Sequence, residues 1–296
     1  MGMVAFQVWL DVIFTGLYVC VLAFLVFHFV MGIVKGRFHK KYVEGAWPEH
    51  DHIPPATPKW IHGIHMSGIL ILALTGMYLR FPFFYGGRTI MRNLHFVFMF
   101  VVTVTLVWRV WYAFFSKTNA DWREFAVGKK DLASAGGVLA YYGYFSNTKP
   151  HVAKYNVMQK MSYLLFLAMM VVQVFTGFAL IKANILFGVS PRDVLVGWWL
   201  GAVVGGPAAA LWYARTLHYI LNWGFLIMMT VHFYLAANED LPCTLDFFGL
   251  KKMTTVAAHD HEDVPVFEPA PQSEPEPEPQ PHPHPHPSPE PVPELI

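Results

Sequence analysis

Thiol and charge are what this sequence has least of. It carries two cysteines, Cys20 and Cys243, in 296 residues. They lie far apart and fit neither a thiolate metal site nor a disulfide framework, so iron–sulfur clusters held by this chain are not expected. Charged residues make up 14% of the chain, where a soluble domain carries about 25%. Hydrophobic residues reach 55% and aromatics 16%, a balance suited to lipid. The formal net charge of +1 argues for no partner of either sign, and no nucleic acid is expected. Histidine is present in excess: fifteen, against twenty-one Lys plus Arg. With cysteine scarce, imidazole is the available metal ligand.

Five apolar stretches are long enough to cross a bilayer, which takes roughly 20 residues of helix. They run from Val4 to Val34, Trp60 to Leu79, Leu94 to Phe115, Val157 to Ile181, and Ala208 to Ala237. The first lacks the basic start of a signal peptide, contains Asp11, and exceeds the usual length of a cleaved apolar core, so it reads as a true span. Lys35, Arg37, Lys40, Lys41 and Lys59 fall between spans one and two. A second basic set from Lys117 to Lys160 follows span three, and Lys251 and Lys252 follow span five. The other side has only Arg80, Arg88, Arg92, Lys182, Arg192 and Arg215. The positive-inside rule then predicts an outside N-terminus and a cytoplasmic C-terminus in a bacterial inner membrane.

Val194 to Val204 is apolar but short and holds Trp198 and Trp199, which predicts an interfacial segment rather than a span. From Glu268 on, Pro and Glu dominate, and His282, His284 and His286 alternate with proline. Such a tail cannot bury a core.

An ionisable residue inside a span is a functional-site candidate by default. Span five carries His218 and His232, fourteen residues apart. That separation is roughly 21 Å of rise and within about 40° of one face. One imidazole therefore sits near each leaflet, both looking the same way. A zinc site needs its ligands gathered; two haems stacked across a bilayer need them spread like this. Topology supplies the opposing ligands. His95 opens span three on the same side as His218, and His62 opens span two on the side of His232. His65, three residues on and on much the same face, is an alternative ligand at the inner site or a quinone contact. His28, near the inner end of span one, is a further candidate there. His62, His95 and His218 each follow a cation by three residues: Lys59, Arg92 and Arg215. These cations can snorkel to the interface and are candidate contacts for haem propionates. Arg109, inside span three, needs a buried partner or a propionate.

Around these residues the sequence resembles a known family. The segments Arg92-Asn-Leu-His95-Phe, Trp108-Arg109-Val-Trp-Tyr-Ala-Phe and His232-Phe-Tyr-Leu-Ala-Ala-Asn-Glu239-Asp240 resemble the cytochrome b subunit of membrane-bound nickel–iron hydrogenases. Thr75-Gly76, and Gly205-Gly206 ahead of Arg215, match as well. That subunit belongs to a superfamily with the formate dehydrogenase gamma subunit, which Lys154-Tyr155-Asn156 and Gln159-Lys160 resemble more. The resemblance covers Lys59 to Asp240. It implies four core helices, two b-type haems on His62, His95, His218 and His232, and quinone as electron acceptor or donor near the inner haem. It also implies that the iron–sulfur and catalytic subunits of a periplasmic oxidoreductase are partners. Two features depart from the pattern: the first span is additional, and Gly63 stands where the family has an aromatic.

The expected fold class is thus an all-α integral membrane protein, with a four-helix haem-binding core plus one extra N-terminal transmembrane helix. Its parts are an N-terminal helix (1–34), a cytoplasmic loop (35–58), the dihaem domain (59–246) and a disordered cytoplasmic tail (247–296). The expected function is electron transfer between a hydrogenase-type oxidoreductase and the quinone pool. A formate dehydrogenase or thiosulfate reductase anchor is the alternative within the class. A haem-free transporter with a histidine proton relay is the alternative outside it.

Overall fold

Long apolar runs in lipid must satisfy every backbone N–H and C=O within the segment, which dictates helix. The computed structural model describes residues 2–48, 55–117, 120–150, 155–185 and 187–250. The tail from residue 251 on, and His50, His52 and His151, lie outside them. In chain order the helices are α1 (Met3–Val34), α2 (Ala56–Arg80), α3 (Arg88–Phe115), α4 (Lys129–Tyr142), α5 (Val157–Ala179), α6 (Trp199–Val204), α7 (Pro207–Glu239) and α8 (Leu241–Phe247). The described residues contain no strand. Helices α1, α2, α3, α5 and α7 are long and apolar enough to cross a membrane, and they coincide with the five predicted spans.

Local chemistry sets the helix ends. Asn156 caps α5 by accepting from the Gln159 backbone N–H at 3.0 Å, while the Gln159 side chain accepts from the Asn156 N–H at 2.9 Å. This reciprocal pair satisfies two donors that a helix start leaves free. Helix α7 starts at Pro207, after Gly205 and Gly206 at φ +92° and +117°, angles that only glycine adopts easily.

Helices α2 and α3 form a close hairpin. A Cβ on Gly68 would come within 2.6 Å of Val102 Cγ2, so the missing side chain is what lets the two backbones approach. Helices α5 and α7 pack together with α6 beside them. Leu106 of α3, Met169 and Met170 of α5 and Phe225 of α7 meet in the middle, with Ile69 of α2 against them. The short run Val194–Val204 is a π-turn (Asp193–Gly197) followed by α6, resting on α5 and α7 and burying Val196. It does not span.

Helix α1 lies against α7 and is fastened at three levels. At one end Asp11 accepts from the Tyr219 hydroxyl at 2.5 Å and pairs with the Arg80 guanidinium. Midway the Tyr18 and Thr230 hydroxyls bond at 3.0 Å, and Phe14 stacks on Trp223. At the other end buried His28 donates from Nε2 to the Tyr142 carbonyl at 3.0 Å, so its Nδ1 accepts from the Tyr234 hydroxyl at 2.6 Å. Beyond α1, Lys41 donates to the Asn238 carbonyl (2.9 Å) and pairs with Glu239 (3.1 Å), placing a cation at the C-terminus of α7 where the helix dipole favours one. Replacing Asp11 with alanine leaves Arg80 and Tyr219 without their acceptor and is expected to cost about 1–3 kcal/mol. Thermal unfolding in detergent reads this; an unchanged midpoint would count against the latch.

Two helices are not announced by the sequence. Helix α4 is short and rich in small residues, and it is tied to α5 by Lys160, which pairs with Asp131 at 2.9 Å and donates to the Ala126 carbonyl at 3.1 Å. Helix α8 is capped by Asp240, which accepts from the Cys243 N–H at 3.1 Å.

Candidate functional site

Fourteen residues of unbroken helix separate His218 from His232 on α7, and each ring meets a histidine from another helix. His95 of α3 lies opposite His218 with ring centres 6.2 Å apart. His62 of α2 lies opposite His232 at 6.3 Å. A nitrogen–metal bond of about 2.0 Å plus about 1.1 Å to the ring centre, taken twice, puts two opposed imidazoles on one ion roughly 6.2 Å apart. Both pairs have this spacing. The four histidines predicted from spacing and topology are therefore brought together in the predicted pairs.

The His95/His218 level is built in more detail. The Thr75 hydroxyl lies 2.9 Å from His95 Nδ1, and the Thr176 hydroxyl lies 3.0 Å from His218 Nδ1. Gly76 and Gly177 follow those threonines. A Cβ on Gly76 would sit 3.5 Å from His95 Cε1, and one on Gly177 would sit 3.3 Å from His218 Cε1. The Gln173 amide nitrogen is 3.3 Å from His218 Nε2, the contact of a donor with an unprotonated ring nitrogen. The Gln173 Oε1 is buried without a partner. Thr75-Gly76 stood out in the sequence; Thr176-Gly177 did not. The signal was present, since Leu74-Thr-Gly-Met and Phe175-Thr-Gly-Phe occupy matching places in two helices that each precede an Arg-x-Leu-His start.

At the other level the neighbours are aromatic. Phe247 of α8 meets the His62 ring edge-on at 5.1 Å, and Phe166 of α5 meets His232 at 6.0 Å. His65 does not form the pair with His232; its Nε2 is buried and without a hydrogen-bond partner. His28 has both ring nitrogens engaged, as described above, and faces Tyr144 and Tyr234 rather than the His62/His232 pair.

The four candidate cations divide two and two. Lys59 pairs with the Asp246 carboxylate of α8, and Arg109 pairs with Asp121 at 2.7 Å. Each of these spans-edge charges thus finds a carboxylate, which answers the demand for a buried partner that Arg109 posed. Arg92 and Arg215 are exposed and form no ion pair among the described residues. In α8, burial, together with the Asp240 and Asp246 carboxylates, pushes the Cys243 thiol up to about 11. Alkylation of Cys243 at pH 8 is expected to run on the order of a hundredfold slower than that of an ordinary thiol, and to accelerate only as pH approaches 11. Mass spectrometry of iodoacetamide-treated protein checks this; ordinary reactivity at pH 8 would contradict it.

Among the described residues no three His, Cys, Asp or Glu side chains gather as a metal cage. Two-imidazole donor sets are what remain, and they suit a metal whose other ligands come from a macrocycle. A polytopic helical bundle carrying opposed imidazole pairs is the class that fold and site define. The chain belongs to the prokaryotic cytochrome b561 family, whose profile matches residues 55–242. No curated relative matches the chain. The family makes it a multi-pass membrane cytochrome with b-type haem and a role in electron transfer. Helix α1 lies outside the matched region, in keeping with its reading as an addition to a four-helix core.

Proposed function

We propose that the chain is a dihaem membrane anchor that passes electrons between a periplasmic, hydrogenase-type oxidoreductase and the membrane quinone pool. His95 and His218 would hold the outer haem, and His62 and His232 the inner one. Bound there, the haems supply one-electron carriers at two depths. The observation that carries this reading is the pair of opposed imidazoles at both levels of one helix, α7, each at metal-ligand spacing.

The protein's own groups set where the carriers sit and how easily they are reduced, through axial ligation, charge pairing and burial. Arg92 and Arg215, which have no carboxylate partner among the described residues, are the cations placed to meet propionates at the outer level. Lys59 and Arg109 are already neutralised by Asp246 and Asp121, so they hold the bundle together instead. His65, whose Nε2 is buried and unpartnered among the described residues, is the group that would meet a quinone near the inner level.

The test is reduction by quinol. Purified protein in liposomes, given a short-chain menaquinol or ubiquinol, is expected to show haem reduction that begins with the inner haem. A protein whose haems are reduced by dithionite but by neither quinol would overturn the quinone assignment. Co-purification of iron–sulfur and catalytic subunits from native membranes tests the partner.

A further inference from the structure

We propose that Thr75 and Thr176 are matched positioning residues for the His95/His218 pair, each gripping a ring by its Nδ1–H so that both Nε2 atoms are presented to one iron. The inference rests on the ligation proposed above and adds to it the device that orients the ligands.

A threonine hydroxyl has one proton to give. Thr75 directs its proton to its own helix, with the Ile71 carbonyl at 2.6 Å and that of Leu72 at 3.1 Å. Thr176 does the same, with the Val172 carbonyl at 2.8 Å and that of Gln173 at 3.1 Å. Both oxygens can then only accept from the histidine, so each ring carries its proton on Nδ1 and leaves Nε2 unprotonated; at His218 that nitrogen meets the Gln173 amide at 3.3 Å, a contact that iron would replace. A single mid-helix threonine bonded back to a carbonyl is ordinary. Here the step occurs twice, in α2 and in α5, against the same ring atom of two histidines that face each other. Each time a glycine follows and leaves room for the ring. His62 and His232 have no such hydrogen bond among the described residues.

The chemistry has a direction. An acceptor on Nδ1–H makes an imidazole a more basic ligand, which favours the ferric state. Valine keeps the shape of threonine and removes the hydroxyl acceptor, leaving the Leu72 and Gln173 backbone carbonyls as the rings' remaining polar neighbours. Thr75→Val and Thr176→Val are each expected to shift the outer haem's ferric–ferrous equilibrium towards ferrous, on the order of tenfold, which is about 59 mV for one electron. The low-spin electron paramagnetic resonance signal of that haem should move too, while the inner haem keeps its potential. Thr75→Ser and Thr176→Ser restore the acceptor and should return both readings to those of the parent.

Valine variants that hold both haems with unchanged potential and resonance would overturn the proposal, as would serine variants that shift as far as valine. If a valine variant does not assemble, Thr→Ala at the same position gives the same reading without added bulk. A parent protein lacking an outer haem would sink the ligand assignment itself, a result distinct from an outer haem indifferent to its threonines.

Discussion

Replacing His218 with alanine is expected to halve the haem content, from two per chain to one, with the surviving haem being the inner one. Alanine is the best helix former, so α7 should persist. What would be lost is one of the two axial ligands proposed for that haem, at a place where Thr176, Gly177 and His95 are arranged around the ring. His232 stands fourteen residues along the same helix, roughly 21 Å away, and among the described residues shares no hydrogen-bond or ring partner with His218, so its pair should be undisturbed. His95→Ala should remove the same haem, and the double variant should lose no more than either single. Pyridine haemochrome analysis per mole of protein, with a redox titration, reads all three. A folded His218→Ala protein that keeps two haems would refute the pairing.

The second large effect separates two neighbours on α2. His62→Ala is expected to remove the inner haem, and His65→Ala to keep both. Sequence alone leaves these histidines as alternatives because three residues on a helix share much the same face. Geometry separates them: the His62 ring stands 6.3 Å from that of His232, while His65 ends in a buried, unpartnered Nε2. If His65 meets a quinone, its alanine variant should hold two haems yet accept electrons from quinol far more slowly. Loss of the inner haem from His65→Ala, with its retention in His62→Ala, would reverse the assignment.

Much of this site was legible because it is written along single helices. Imidazoles fourteen residues apart in an apolar run declare both depth and face, and the loop charges orient the spans well enough to match His95 with His218 and His62 with His232. What could not be read lies between helices. Asp11, in the first span, looks like an isolated charge in lipid, and its partners Arg80 and Tyr219 are 69 and 208 residues away. Lys59 and Arg109 carry the right charge at the right depth for a propionate, but whether a carboxylate reaches them first depends on how α8 and the stretch around Asp121 fold back. Thr176 is one of several polar residues in α5, and its meaning appears only when Thr75 is seen doing the same across the bundle. Helix α4 went unread because a 14-residue helix rich in Ala and Gly has neither the length of a span nor the stripe of a soluble helix.

The central claim is that the two histidine pairs hold two haems. The most direct measurement is the haem-to-protein ratio of the purified chain, taken with its reduced-minus-oxidised visible spectrum through a redox titration. Two b-type haems per chain, titrating as two one-electron steps, is the result predicted. A pure and folded protein with a single haem would contradict the second pair, and one with no b-type bands would leave its membrane histidines to a proton relay instead.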